Sequence, residues 1–435
     1  MLTHLQPSVL LIAASRHFEV AVLVLGVLLV LGALWSGYPR AKLVPLPALF
    51  IAAGFLLGHG ALGVLHFSPS SSFVADLATV ALIVILFRDG LEVEGELLAS
   101  HWRVPLRKLV LAMPITAAVV AIAARAFTGL SWTQACLVGA LLSPTDPVLS
   151  SSVVTNPRVP RLIRHSLNLE SGLNDGLALP AVLAFSAALA IGGSGFVWWR
   201  FVLEDLILGF VPGLLVGYIA AWLMPPGRDL TTAVPVHQKS LYALGSAFAA
   251  YGVAVLLPHG NGLIAVFVAA ITLGIRRPDL RAHFQRQAID IVELVKLGIF
   301  AVFGSLLTLH GLFTDGWAAL GIVAVALLVA RPLAVFVALA GTPPDRAARA
   351  FMAWFGPKGV ATMTFSLLVL SDGIAAGERI FNIAALAVVC SVIVHGLTDA
   401  PGAEWIARRS ATSEQEHAGP EARLSADGSG ATARP

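Results

Sequence analysis

Long apolar stretches, most of them about 20 residues in length, recur along almost the whole sequence. We place them at 17–36, 43–65, 73–89, 105–127, 132–153, 162–190, 200–223, 240–257, 261–275, 287–310, 316–340, 348–371 and 380–406. A helix of about 20 apolar residues spans the hydrocarbon core of a bilayer. Hydrophobic residues make up 57% of the chain and charged residues only 12%. A soluble enzyme needs more polar surface, so the sequence predicts an all-α polytopic membrane protein with about 13 transmembrane helices.

Basic residues are distributed unequally between the two alternating sets of loops. One set has 19 Lys and Arg residues, counting Arg88 and Lys108, and the opposite set has three. Lys and Arg concentrate in cytoplasmic loops, so the asymmetry predicts an external N-terminus and a cytoplasmic C-terminus in the cell membrane. The net charge of +3 does not indicate nucleic-acid binding. The sequence has no phosphate-binding loop and no zinc-protease motif, so we expect no cofactor.

The apolar spans give way to a polar sequence near residue 409. We predict a transmembrane domain over residues 1–409 and a short disordered cytoplasmic tail over residues 410–435, which is rich in Gly, Ala and Ser. A tail of this length is too short for a nucleotide-binding regulatory domain.

Two predicted spans are interrupted by proline beside a charged residue. The fifth span contains Ser-Pro-Thr-Asp-Pro at 143–147, and the twelfth contains Gly-Pro-Lys-Gly at 356–359. Broken backbone inside a membrane needs protein or a water-filled cavity to satisfy its polar groups. Interrupted helices at matching places in two halves indicate a transporter built from inverted repeats. Asp146 could serve only as a cap for the second half of its own helix, but we favour a cap that also lines an ion site.

The sixth span combines an apolar helix with a polar face. Asn168, Ser171 and Asp175 form one stripe, and Glu170 with Asn174 forms its neighbour. Asn and Ser can join helices in a membrane, but that role does not need two carboxylates. Charged groups in the hydrocarbon layer are costly, so we predict that this face binds an ion.

Arg331 interrupts the eleventh span and cannot lose its proton, so it needs a carboxylate partner. The deep carboxylates that could provide it are Glu170, Asp146 and Asp175.

A further charged group occurs in the tenth span. Asp290, Glu293 and Lys296 follow one another at spacings of three. We expect these residues to pair locally along one helix rather than to contribute to transport.

Four motifs resemble those of one transporter family in their order and spacing. They are Ser-Pro-Thr-Asp-Pro-Val at 143–148, Glu-Ser-Gly-Leu-Asn-Asp-Gly at 170–176, Arg-Pro at 331–332 and Gly-Pro-Lys-Gly at 356–359. The chain is similar to the NhaP/NHE-type sodium/proton antiporters, the first branch of the cation:proton antiporter superfamily. The resemblance implies an NhaA-like antiporter fold with two broken, crossing helices. It also implies a homodimer in which a core domain moves against a dimerisation domain.

The resemblance also implies roles for residues at matching positions. Asp175 matches the essential carboxylate that binds either the cation or the proton, and Asn174 matches its Asn partner. Thr145 and Asp146 match the pair in the unwound helix, and Ser171 matches an ion-coordinating hydroxyl. Na⁺ is then expected at Asp175, Ser171 and Thr145.

Glu170 and Arg331 match the family's core ion pair, but two other positions depart from its pattern. Lys358 stands where the family usually has Arg. Arg88 stands where relatives commonly have an acid, and Asp89 follows it. We therefore expect Lys358 and Asp89 to act as modulators of the site.

The predicted function is exchange of Na⁺, with Li⁺ as a further substrate, for H⁺ by alternating access. Both ions neutralise Asp175 and therefore compete, and Asn174 adds no second titrating group, so we expect electroneutral 1:1 exchange. A K⁺/H⁺ antiporter of the same fold is the main alternative, because the sequence does not give the size of the cavity. A cation channel or an intramembrane aspartyl protease is less favoured, because the sequence has neither a Thr-Val-Gly-Tyr-Gly filter nor a Gly-x-Gly-Asp motif.

Overall fold

The structure, a computed structural model, describes residues 7–37, 45–69, 71–93, 102–146, 153, 156–190, 195–225, 234–257 and 259–417. All regular structure in these residues is helical. The helices are α1 (Pro7–Ser36), α2 (Leu46–Leu57), α3 (Ser72–Leu91), α4 (Arg103–Thr128), α5 (Trp132–Leu141), α6 (Arg161–Ala190), α7 (Trp198–Leu223), α8 (Val236–Leu256), α9 (Gly262–Arg276), α10 (Pro278–Gln287), α11 (Ile289–Leu306), α12 (Leu309–Leu312), α13 (Gly316–Ala338), α14 (Arg346–Trp354), α15 (Val360–Ser371) and α16 (Gly377–His417).

The lengths of these helices agree with a chain that crosses a membrane several times. Six of them, α4, α6, α7, α8, α13 and α16, are long and apolar enough to span a bilayer, and five shorter helical segments are also apolar. Large apolar side chains are exposed on them, including Trp222 at 75% and Trp317 at 87%. Lipid accommodates such surfaces, whereas water does not. The prediction of an all-helical, multi-pass membrane protein is confirmed.

Helical structure occurs in each of the predicted apolar stretches, although several boundaries differ. α2 ends at Leu57, well before residue 65, and a run of turns that includes Gly63 at φ 60° follows it. α10 was not predicted, because its mixed polar sequence reads as a loop. α16 continues to His417, within the segment predicted as the tail, and residues 418–435 lie outside the described residues.

Three of the long helices contain a π-helical turn a few residues before a proline. The turns are Lys108–Ala112 in α4, Val202–Ile207 in α7 and Val325–Ala330 in α13, and the prolines are Pro114, Pro212 and Pro332. Pro114 and Pro332 cannot donate to the carbonyls of Val110 and Leu328, which lie within their turns, so the helix widens there instead of stopping.

Two apolar helices stop inside the protein, where the sequence predicted interruptions. α5 ends at Leu141, and the chain runs without regular structure to Asp146. The second break lies between α14 and α15, over residues 355–359. Residues 147–152, which were expected to continue the fifth span, lie outside the described residues. α6 packs against α5, and α3 packs against both α6 and α15, so these helices surround the breaks.

Candidate ion site

The two breaks are joined directly through Asp146. Its backbone N–H donates to the Pro357 carbonyl at 2.8 Å, and its Oδ2 accepts from the Val360 N–H at 3.0 Å. Asp146 therefore caps α15, whereas the sequence interpretation placed the cap on the second half of its own span. The N-terminus of α15 has unpaired N–H groups and a positive dipole end, which attract a carboxylate. Gly359 permits this approach, because a Cβ there would lie only 2.6 Å from the Asp146 Cβ.

Lys358 binds the unwound segment just beyond the C-terminal end of α5. Its buried Nζ donates to the carbonyls of Pro144 at 3.1 Å and Ser143 at 3.4 Å. The Ala140 carbonyl, to which Pro144 cannot donate, accepts from the Ser143 hydroxyl at 3.0 Å. An ammonium group at the negative end of a helix stabilises it. Lys358, predicted as a modulator, is thus part of the contact between the broken helices.

Arg331 binds Glu170 rather than either deep aspartate. Its Nη1 and Nη2 donate to the two carboxylate oxygens at 2.9 and 3.2 Å, and Nη2 also donates to the carbonyls of Met352 at 3.2 Å and Phe355 at 3.4 Å. A side chain at Gly356 would overlap the guanidinium, so glycine is required there. Arg331 therefore connects α6 to the C-terminal end of α14.

Glu170 has a second basic partner, Lys108, which the sequence pattern did not indicate. Its Nζ forms an ion pair with Glu170 Oε2 and lies 3.4 Å from the Ser166 hydroxyl, and the side chain has no exposed surface. It was wrongly counted as a loop charge, although the predicted span at 105–127 already included it. Arg88 also belongs to the protein interior rather than to a loop, because its guanidinium contacts the buried Asp89 carboxylate. Without these two residues the asymmetry between the loops is 17 against three.

A histidine of α16 connects the two sides of the second break. The Lys358 N–H donates to the Ser391 hydroxyl at 2.7 Å, and His395 Nδ1 lies 3.1 Å from that hydroxyl. His395 Nε2 lies 3.0 Å from the Trp354 carbonyl. His395 Nδ1 also lies 3.0 Å from the Ser391 carbonyl, so the imidazole joins Ser391 of α16 to the end of α14. No sequence pattern indicated this link, since its ends lie on different helices.

Asp175 and Asn174 lie where α6 meets the first break. Asn174 Nδ2 donates to the Thr145 carbonyl at 2.8 Å and to its hydroxyl at 2.9 Å. Asp175 Oδ1 and Asn174 Oδ1 are buried and accept no hydrogen bond from the described residues. Ser171 is buried on the same face, whereas Asn168 is exposed and does not belong to it. Two neighbouring residues of α6 thus each have a buried oxygen without a donor, and oxygen is the ligand that hard cations prefer.

α3 contributes a carboxylate to the same region. Asp89 is buried and lies within hydrogen-bonding reach of Asp175. The guanidinium of Arg88 contacts it at 2.6 Å. Arg88 therefore does not remove α3 from the site, because the next residue, Asp89, provides a carboxylate.

The charges of the tenth predicted span do not pair locally. No ion pair joins Asp290, Glu293 and Lys296 in the described structure, so that expectation is wrong. Lys296 is 1% exposed, whereas Asp290 is exposed. The position of Lys296 more than one helical turn inside the span was the signal that could have indicated burial.

These features define a class: a helical membrane protein in which two discontinuous helices meet beside buried carboxylates. A family model described as sodium/hydrogen exchanger, transmembrane, matches residues 26–405. The chain belongs to the sodium/hydrogen exchanger family.

The curated relatives that match this chain are 25% and 26% identical to it and are longer proteins. The K(+)/H(+) antiporter NhaP of Alkalimonas amylolytica is 25% identical over 393 residues, which cover 89% of this chain and 67% of that protein. The K(+)/H(+) antiporter NhaP2 of Shewanella oneidensis is 26% identical over 357 residues, covering 81% of this chain and 61% of that protein. The chain therefore spans about two thirds of the first relative and less of the second.

A solved structure has the same fold. The sodium proton antiporter MjNhaP1 from Methanocaldococcus jannaschii, at pH 8, aligns with a TM-score of 0.75 and 20% sequence identity. The alignment covers 90% of this chain and 99% of that one. The antiporter-type fold expected from the resemblance is confirmed.

Proposed function

We propose that this protein exchanges a monovalent cation for H⁺, and that both compete for Asp175. The observation that supports this function is the pair of buried, unpaired oxygens on Asp175 and Asn174 beside two broken helices. A carboxylate removed from water needs a positive partner, and either a proton or a cation can neutralise it. We assign the oxygens of Asp175, Ser171 and Thr145 as cation ligands, with Asn174 and Asp146 positioning the unwound segment.

The proposed stoichiometry is one cation for one proton. Glu170 is paired with Arg331 and Lys108, Asp89 is paired with Arg88, and Asp146 caps α15. Among the described carboxylates of the site, Asp175 is the one with neither an ion pair nor a helix cap. One such group binds one positive charge, so exchange is electroneutral.

The proposal extends to the architecture of the whole exchanger. We propose thirteen spans arranged as inverted repeats over residues 1–409, with a core domain that moves against a dimerisation domain in a homodimer. The odd number of spans and the excess of basic residues in one set of loops support an external N-terminus and a cytoplasmic C-terminus in the cell membrane.

Potassium is the second candidate cation, alongside Na⁺ and Li⁺. The two curated relatives are both named K(+)/H(+) antiporters, whereas the structural neighbour is named a sodium proton antiporter. Because these names refer to different cations, a transport assay with each cation is needed to distinguish Na⁺ from K⁺.

The test uses the purified protein in proteoliposomes that contain a pH-sensitive dye, with Na⁺, Li⁺ and K⁺ added in turn. We expect Na⁺ and Li⁺ to move protons at a rate that does not depend on an imposed membrane potential. Movement with K⁺ alone would support the second candidate. Lack of proton movement with all three cations would reject the antiporter assignment.

Asp175→Asn tests the assigned carboxylate. We expect this variant to lose exchange while it keeps the elution volume of the folded protein, because the amide cannot exchange a proton for a cation. Asp76→Asn, on an exposed carboxylate of α3, is the matched control and is expected to keep its activity. Normal exchange by Asp175→Asn would contradict the assignment.

A further inference from the structure

A cavity of about 540 Å³ lies between α1, α3 and α11, beside the connection from α2 to α3. Its walls include Ala21 and Leu25 of α1, Leu77 of α3, and Ala301 and Val302 of α11. A volume of this size is typical of cavities that hold small ligands. None of its lining residues belongs to the ion site, so the cavity is a separate feature of the protein.

The lining is apolar except at one end. Among the described lining residues, the polar side chains are those of His66 and Ser71, which lie in the connection before α3. The end of α11 is on the same side of the molecule, because the Ser305 carbonyl accepts from the His59 N–H just after α2.

The depth of the cavity is similar to that of one leaflet of a bilayer. Gly298 also lines the cavity and precedes the last residue of α11, Leu306, by eight residues. That separation is about 12 Å along a helix axis. The hydrocarbon of one leaflet is about 15 Å thick. The cavity therefore extends from a polar connection into the apolar layer.

The cavity is continuous with the outer surface of α1 and α3. Two of its lining side chains, Val22 and Phe73, are 54% and 47% exposed. The ring of Phe73 stacks on that of Phe67, another lining residue, with 5.6 Å between the centroids. Both helices coincide with apolar spans of the sequence, so the medium at this surface is lipid.

Lipid is the occupant that this position favours. Water does not fill a cavity with apolar walls, because it finds too few hydrogen-bond partners there. An empty cavity deprives its walls of dispersion contacts. Acyl chains are the apolar groups present at the opening. A phospholipid also has its polar group at one end, as the cavity does.

We propose that this cavity binds an acyl chain of a membrane phospholipid, with the headgroup beside His66 and Ser71. The chain fills the space between α1, α3 and α11 that side chains leave open. α11 also packs against α2 and α15, so the bound lipid supports a helix that contacts the second broken helix. The site does not depend on the proposed exchange function.

The experiment uses the full-length protein in vesicles of phosphatidylethanolamine and phosphatidylglycerol. A small fraction of the phospholipid carries a photoactivatable diazirine in its acyl chain. After illumination and proteolysis, mass spectrometry locates the label. We expect labelling of residues 21–25 and 298–302 to exceed that of α7, which has exposed apolar side chains but does not line the cavity.

Gly298→Phe is designed to fill the cavity. A Cβ on Gly298 would meet no atom within 4 Å, so the new side chain begins in open space. Labelling of residues 21–25 should fall about tenfold or more, because the ring and the acyl chain cannot occupy the same volume. Ala21→Phe, which fills the cavity from α1, is a second version of the same test. Both variants are compared at the elution volume of the folded protein.

Gly245→Phe is the matched control. A Cβ on Gly245 of α8 would also meet no atom within 4 Å, but this glycine does not line the cavity. Labelling of residues 21–25 should therefore be the same as in the unaltered protein. A diazirine-bearing alkane without a headgroup provides a second control, and we expect it to label the cavity less than the phospholipid does.

Three results would overturn the proposal. The first is labelling of residues 21–25 and 298–302 no stronger than that of α7, or unchanged in a folded filling variant. The second is equal labelling by the alkane, which would show that the headgroup does not contribute. The third is dissociation of a dimer by a filling variant with no change in lipid labelling, which would identify a second copy of the chain as the occupant.

Discussion

At the scale of single residues, Glu170 joins α6 to α13 and α4 through two basic partners. It contacts Arg331 through both oxygens and Lys108 through one of them, and all three side chains are buried. A buried ion pair adds little net stability compared with an apolar contact, but removing one partner leaves an uncompensated charge. The effect of losing Glu170 is therefore expected on stability as well as on transport.

Glu170→Gln should destabilise the protein by about 3–5 kcal/mol, because it leaves two buried basic groups without a carboxylate. The change is measured as the loss of folded protein on heating in detergent, followed by size-exclusion chromatography. Glu404→Gln is the matched control, because Glu404 is 57% exposed and pairs with Arg408 on the surface. The control should change stability by about 1 kcal/mol or less. If both variants were equally stable, Glu170 would not be needed to compensate the charges of Arg331 and Lys108.

At the scale of elements, three ends of the broken helices face a charge of the appropriate sign. The unwound segment just after the C-terminal end of α5 contacts Lys358, and the C-terminal end of α14 contacts Arg331. The N-terminal end of α15 contacts Asp146. Charges opposite in sign to the dipole at each end compensate the backbone groups that regular helix would have paired. The contact between the two broken helices is thus stabilised by side chains that lie outside each of them.

Lys358→Met should reduce the stability of the protein by about 1–3 kcal/mol, because the carbonyls of Ser143 and Pro144 lose their donor. Exchange activity should fall as well, since the unwound segment holds Thr145 beside Asn174. Lys358→Arg restores a basic donor and should retain more of both properties. Melting in detergent and initial exchange rates measure the two effects. If the methionine variant were as stable and active as the arginine variant, Lys358 would not stabilise the contact between the broken helices.

At the scale of the whole molecule, the asymmetry of basic residues predicts how the helices are oriented in the membrane. Loops and helix ends expected on the cytoplasmic side carry 17 Lys and Arg when Arg88 and Lys108 are left out, and those on the opposite side carry three. The loop between α13 and α14 belongs to the first set, and the loop between α15 and α16 belongs to the second.

Cysteine labelling tests this orientation. Pro343→Cys and Ala375→Cys place a thiol on exposed positions of these two loops, in a background where Cys136 and Cys390 are replaced by Ala. A membrane-impermeant thiol reagent should label the second variant in intact cells and the first only after the cells are opened. The reverse pattern would invert the predicted topology.

Much of the fold was predictable, because hydropathy and proline placement are properties of short stretches of sequence. The spans, the two breaks and the polar face with Glu170, Ser171, Asn174 and Asp175 all depend on such local patterns. Boundaries were less predictable where glycine-rich turns follow an apolar run, as after Leu57, or where a polar stretch forms a helix, as in α10.

The sequence by itself determined that this is a helical membrane protein with charged residues at two interrupted helices, since the bilayer restricts both length and polarity. Only the tertiary structure decided which partners those charges have. Asp146 caps a helix that begins 214 residues later, and Lys108 and Asp89 reach α6 from separate helices. A buried charge is stabilised by whatever group lies nearest in space. Packing of distant helices creates that proximity, and no local sequence pattern contains it.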